Sequence, residues 1–315
     1  MPLSRRWLLS SGVLAGCGAR LGQFPFDRAW EGGTLGLHVR FYSVCCMRIG
    51  FGEAEVLVDP FFSHLPLRQV AFGQVRPDLD QVQPYLGELS RVRAVVIGHN
   101  HYDHNLDLPA IAEHLAPDAH VLGSRTMVHT FAPCDLATPL VGMNDQLDAW
   151  WVHPSAPLRV MPLLSGHPPQ WGFVHLYRGR LTEDADRPPH RGGDYQEGLT
   201  LAFLVDFEGG PRVYIQTSST GLPAGRVPPE VLASKPVDFA VLPMDCANLA
   251  MAGERTILDE LDPSVVLFCH LEDFFRPKSA EPREIVKVDL PRAHDFFDSS
   301  GRTVLFPGSD STFSL

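Results

Sequence analysis

The chain has little positive charge for its size. Its 315 residues carry 26 Lys and Arg against 37 Asp and Glu, a formal net charge of −11. An acidic protein repels phosphate backbones, which argues against sequence-independent nucleic-acid binding unless charge is locally segregated. Long apolar runs are missing too. At 44% hydrophobic content the composition is globular, too apolar for a disordered chain and too polar for a multi-span membrane protein. No Cys-x-x-Cys pair suggests a zinc knuckle. Setting Cys17 aside leaves Cys45, Cys46, Cys134, Cys246 and Cys269, an odd number with two neighbours adjacent, which is no disulfide framework. Neither a Gly-x-Ser-x-Gly elbow nor a Ser-x-x-Lys motif supplies a separate nucleophile, and no Gly-rich phosphate loop opens a helix. Repeats of 20–50 residues and low-complexity tracts are absent as well. Turn formers and histidines are plentiful, with 27 Gly, 28 Pro and 14 His.

The first residues read as an address. Arg5 and Arg6 precede the short apolar run Trp7–Ala15, and no acidic residue accompanies them. That run is too short to span a bilayer, and the order of basic head, apolar core and small residues is that of an export signal. Ser4-Arg5-Arg6-Trp7-Leu8-Leu9 resembles a twin-arginine export motif, and Leu14-Ala15-Gly16-Cys17 resembles a bacterial lipobox, whose cysteine is acylated. The expectation is a signal over 1–17, lipid attachment at Cys17, a short tether over 18–34 and one domain over 35–315. Loss of Arg5 and Arg6 would take the net charge to −13. Such a protein would sit in a bacterial cell envelope, held at a membrane surface on its periplasmic or extracellular face.

Short Val-, Ile-, Leu- and Phe-rich runs predict strands at 35–44, 54–59, 94–98, 120–123, 158–163, 173–176, 199–207, 213–215, 239–242 and 265–268. Helical patterns fall at 80–89, 106–115, 125–131, 249–261 and 283–297, with Asp80 placed to cap the first and Pro282 in the first turn of the last. Strands interrupted by helices predict an α/β protein or a layered αββα architecture. Residues 178–197 interrupt a hairpin, as a solvated loop or as a lid over substrate.

The chemistry concentrates after the run Ala94–Gly98, in His99-Asn100-His101-Tyr102-Asp103-His104. His99 and His101, two apart on extended backbone, project to one side and can share a cation. Asp103 and His104 fall where the chain turns into a helix, aimed at a neighbouring position. Neutral imidazole with carboxylate suits Zn²⁺, with Fe or Mn as alternatives.

This His-x-His-x-Asp-His arrangement resembles the metallo-β-lactamase superfamily, whose fold is an αββα sandwich of two related halves with metals at one sheet edge. Val56-Leu57-Val58-Asp59-Pro60-Phe61 is similar to the family's early strand, which ends in an aspartate that supports the metal loop; Asp59 could equally be an ordinary strand-end carboxylate. Met161–His167 is similar to the segment that supplies a third histidine, with His153 and His175 as weaker competitors, and Val265–His270 to the last strand and its histidine ligand. The resemblance implies one metal on His99, His101 and His167 and a second on Asp103, His104 and His270. One position departs from it. Ser219 stands where the family carries an aspartate that bridges both metals, so one or two ions are implied, and Asp245 is a candidate to supply the missing carboxylate.

A zinc ion on three histidines keeps a position for water and lowers its pKa from about 15.7 towards 7, giving a hydroxide that attacks a carbonyl or phosphoryl centre. Asp103 is the candidate catalytic residue that orients this water, and His190 a candidate substrate contact. The Leu-Val-Asp-Pro strand looks most like the branch that contains ascorbate-6-phosphate lactonase and N-acyl phosphatidylethanolamine phospholipase D. That branch implies hydrolysis of an ester, lactone or phosphodiester, with a small-molecule or lipid substrate. The rival reading is a non-catalytic ligand-binding lipoprotein that kept the fold without the bridging aspartate.

Overall fold

The computed structural model describes residues 21–22, 24–170, 174–285 and 288–315. The expected signal, with Cys17, lies outside the described residues. Fifteen strands are described: β1 (Asp27–Glu31), β2 (His38–Ser43), β3 (Cys46–Phe51), β4 (Ala54–Val58), β5 (Val92–Val96), β6 (His120–Gly123), β7 (Leu140–Gly142), β8 (Trp151–Val152), β9 (Leu158–Leu164), β10 (Leu201–Phe207), β11 (Arg212–Gln216), β12 (Phe239–Pro243), β13 (Val265–Cys269), β14 (Thr303–Leu305) and β15 (Pro307–Ser314). They form an eight-stranded sheet in the order β1-β15-β2-β3-β4-β5-β6-β7 and a seven-stranded sheet in the order β14-β13-β12-β11-β10-β9-β8. Each sheet combines antiparallel hairpins with a parallel half, β4 to β7 in one and β11 to β14 in the other.

Alternation along the strands builds the layers. In β12, Phe239 and Val241 face the core shared by the two sheets, while Ala240 and Leu242 face the helices on the outer side. The outer layer of the second sheet includes Met244, Ala247, Leu258, Ala293 and Phe297, from helices Met244–Met251, Ile257–Leu261 and Leu290–Asp298. Helix Arg125–Phe131, started by the Ser124 hydroxyl accepting from Met127 N, packs by Met127 and Phe131 on the first sheet. The result is the expected αββα sandwich.

Several local expectations are corrected. Residues 27–31 are no tether: they form β1, parallel to β15. Asp78, not Asp80, caps the helix Leu79–Val82 by accepting from Asp80 N. The helix expected over 249–261 is two, Met244–Met251 and Ile257–Leu261, parted at Gly253 with φ +80°. The last helix starts only at Leu290, where Asp289 accepts from Arg292 N, so Pro282 precedes it. No strand forms over 174–176, and Phe173 is outside the described residues.

The segment between β9 and β10 does interrupt their hairpin, and among its described residues it is solvated only in part, with half of 178–197 exposed and the rest docked. Asn100 N donates to Glu197 O at 3.0 Å, Val75 N to His190 O at 2.8 Å and Ala185 N to His129 O at 3.0 Å, while the Tyr195 side chain is buried. These bonds dock the segment beside the histidine loop.

Candidate metal centre

Strands β4, β5, β9, β11, β12 and β13 all end at one edge of the sandwich, and the polar residues that follow them converge there. Asp59 follows β4, His99 to His104 follow β5, His167 follows β9, Thr217 to Ser219 follow β11, Asp245 follows β12 and His270 follows β13. Both Asp59 and His270 adopt left-handed backbone, with φ of +42° and +61°. A non-glycine residue is held in that region only where surrounding contacts determine it.

His99, His101 and His167 each bring a ring nitrogen within 4.8 Å of the others. His99 Nε2 and His101 Nδ1 are 3.0 Å apart, and His99 Nδ1 and His101 Nε2 are buried without partners. Nitrogens on a tetrahedral zinc with bonds of about 2.0–2.1 Å would lie roughly 3.3 Å apart. The triad therefore fits a cation with only small adjustment. Burial keeps the rings neutral, with their lone pairs free. It lowers His101 to about 4 and His167 to about 3, and the neighbouring imidazoles join it in pushing His99 well down.

The second cluster is held by Asp59. Its Oδ2 accepts from His104 Nδ1 at 2.6 Å, and its Oδ1 accepts from Gly98 N at 2.7 Å. This arrangement leaves His104 Nε2 free to face outward, 3.7 Å from Asp103 Oδ2, which is also 3.5 Å from His270 Nε2. Burial works against charge on both residues. Even so, Asp59 and Asp103 raise His104, and His104 and His270 hold Asp103 below the usual carboxylate range. A Cβ at position 98 would lie 2.2 Å from Thr217 Oγ1, so any larger residue there would force Thr217 to move.

The two clusters share the floor of a cavity of about 400 Å³, whose walls include Leu67, Val70, Leu176, Met244, Phe274 and Ile285. Asp245 and Asn248 line it as well. The other candidates sit elsewhere. Ser219 turns its hydroxyl to Gly221 N at 3.1 Å and does not line the cavity; Thr217 and Ser218 do. His190 lies 3.1 Å from Asp194 and does not line it either. Two residues escaped the reading of the sequence, Cys45 and Glu197. Cys45 joins His104 and His270 with ligand atoms all within 4.8 Å, and Glu197 joins His167 and its competitor His175 in the same way. Cys45 carries no sequence signal, since chain topology alone brings the β2–β3 turn beneath the metal loop.

A family model described as a beta-lactamase superfamily domain matches residues 54–271. Among solved structures, the chain is similar to an isothiocyanate hydrolase from Delia radicum gut bacteria (TM-score 0.55, 14% identity, 88% of this chain and 99% of that one). It is also similar to Igni18, a metallo hydrolase from the archaeon Ignicoccus hospitalis (TM-score 0.53, 15% identity, 89% and 99%). A third likeness is to CmlA, a diiron β-hydroxylase from Streptomyces venezuelae (TM-score 0.51, 16% identity, 90% of this chain and 55% of that one). At such identities the likeness is one of fold. No curated protein matches the sequence.

Proposed function

The chain belongs to the beta-lactamase superfamily, and on that premise we propose that it is a metal-dependent hydrolase of uncharged esters or lactones. His99, His101 and His167 would hold one metal, and Asp103, His104 and His270 a second. The observation that carries this reading is the convergence of three neutral histidines, His99 and His101 buried and His167 half-buried, in an apolar-walled cavity. Such a metal supplies a Lewis acid and a water acidified towards neutrality. The protein's own part would be orientation: Asp103, its carboxyl held below the usual range, would accept a hydrogen bond from water, and Ser218 in the cavity wall would offer its hydroxyl to the oxygen that gains charge.

The walls bear on the substrate. Among the described residues, no Lys or Arg lines the cavity, whereas Asp103, Asp245 and Asp273 do. A phosphodiester would find its countercharge in the metals alone, with none from the cavity walls, so esters and lactones are preferred over it. A lipid ester suits the apolar walls, and the lactonase-like branch is the relationship that we infer within the superfamily. The test is hydrolysis of a nitrophenyl acyl ester, a lactone and bis-nitrophenyl phosphate by the metal-loaded chain, before and after chelation. Chelator-sensitive turnover of ester or lactone supports the reading. Ligand binding without turnover, indifferent to chelator, would leave the binding-protein alternative in its place.

Asp59→Asn should weaken the second metal by about 10- to 100-fold, measured by competition with a chromogenic chelator. Each carboxylate oxygen accepts one hydrogen bond, and an amide offers only one acceptor, so Gly98 N–H or His104 Nδ1–H would face an NH₂ group. Unchanged affinity would reduce Asp59 to a strand-end carboxylate.

For the N-terminus we propose twin-arginine export and acylation of Cys17, which would place the cavity next to lipid in a bacterial envelope. Cys17→Ser should move the protein from the membrane fraction to the soluble one on fractionation. Retention in the membrane fraction would overturn the anchor.

A further inference from the structure

The turn between β2 and β3 reaches the metal edge from the opposite half of the sandwich. Val44 adopts φ +54°, and its carbonyl accepts from His270 N at 2.8 Å, so the turn is tied directly to the residue that follows β13. The next residue, Cys45, is fully buried. Its Sγ is 3.5 Å from Cys269 Sγ and 3.8 Å from Thr217 O, weak contacts for sulfur, and it lies within 4.8 Å of ligand atoms of both His104 and His270. We propose that Cys45 is a ligand of the second metal position, with Asp103, His104 and His270, and that this position is built for a thiophilic divalent cation such as zinc. The proposal rests on the metal-dependent reading of the site.

Charge and ligand chemistry both favour it. With serine at 219, and with that serine turned to Gly221 N, Asp103 is the one anionic side chain among Asp103, His104 and His270. A dication on one carboxylate and two neutral imidazoles keeps a net positive charge in a buried place, which is costly. Coordination of Cys45 releases its thiol proton to solvent and leaves a thiolate on the metal, so the second negative charge comes from sulfur in place of the missing carboxylate oxygen. Sulfur and imidazole together select zinc over manganese, which prefers oxygen. Cys269 is the natural control. It touches Cys45, yet it shares no group with the histidines.

The test is a titration of the full chain with Co²⁺, in the presence of a non-thiol reductant. The second equivalent should bring an intense near-ultraviolet thiolate-to-cobalt charge-transfer band, lost in Cys45→Ser and kept in Cys269→Ser. The first equivalent should bind Cys45→Ser normally and the second at least tenfold more weakly. Independently of any variant, X-ray absorption of the zinc-loaded wild-type protein should show a sulfur shell at about 2.3 Å. Two bound metals with only nitrogen and oxygen neighbours would overturn the assignment to Cys45 and leave the hydrolase reading standing, as would a band lost only in Cys269→Ser. A chain that binds no cobalt at all would remove the metal-dependent reading and this proposal together.

Discussion

His101→Ala should lower kcat/KM for ester hydrolysis on the order of a thousandfold, about 4 kcal/mol of lost transition-state stabilisation. His101 starts the short helix Tyr102–Asn105, so its side chain leaves the backbone where an extended loop becomes helical, and its Nδ1 lies 3.0 Å from His99 Nε2. Alanine would leave His99 and His167 as the only imidazoles of the triad. His175 groups with His167 and Glu197 and not with His99, and its ring centroid is 6.5 Å from that of His167. His101 is itself buried, so the Tm of the variant is measured beside its turnover to separate lost chemistry from lost stability. His129→Ala serves as the control, since that ring is paired at the surface with Asp184. The check is kcat/KM for both variants at saturating Zn²⁺. A loss of less than tenfold in His101→Ala would mean that the triad does not carry the reaction.

The triad was legible in the sequence for a physical reason. His99, His101, Asp103 and His104 lie on one loop, and a buried strand such as β5, apolar over Ala94–Val96, announces where that loop begins. His167 and His270 are placed by resemblance to the family's later histidine segments, and each lies close after a strand, β9 or β13. What could not be read depends on contacts between distant segments. β15, Pro-Gly-Ser-Asp-Ser-Thr-Phe-Ser, has almost no apolar alternation; its extended form comes from pairing with β2 and β1. The short edge strands β7 and β8 are too brief to give a pattern. Asp245 was visible as a residue but not as the first turn of a helix, because the pattern at Leu249–Leu261 hid an earlier start at Met244. Cys45 is the sharpest case. Its sequence neighbours are all core residues, and its meaning comes from His270 and Thr217, more than 170 positions away.

Asp206→Asn should cost about 3–5 kcal/mol and lower Tm on the order of 10 °C, without changing kcat/KM well below the transition. The Arg212 side chain is 1% exposed at the start of β11, which is as deep as the core. A guanidinium in that position needs its whole fork satisfied. Asp206, opposite it on β10, accepts from Arg212 Nε at 2.9 Å and Nη2 at 3.0 Å, and the Val231 and Lys235 carbonyls accept from Nη1. Arg159 and Lys235 also reach the same carboxylate, and Trp150 covers Arg159 at 4.1 Å. Burial alone would raise the Asp206 pKa, but hydrogen bonds from Arg212, Arg159 and Lys235 overcome it and hold the carboxyl below its usual range. The sign of the pH effect follows. The contribution is complete above the unfolded-state value of about 3.9 and fades as pH falls through the lower folded-state value, so wild type and Asp206→Asn should converge in stability under strong acid. Removing one partner leaves a buried charge alone, so the double variant Asp206→Leu/Arg212→Met should be more stable than Asp206→Asn. Denaturant melts of these proteins from about pH 1 to pH 8 decide the matter. A gap that stays constant with pH would mean that packing against Trp150, not charge, sets the stability of this end of the sheet. The network sits at the end of β11 opposite the metal edge, so this cost should appear in Tm and not in turnover.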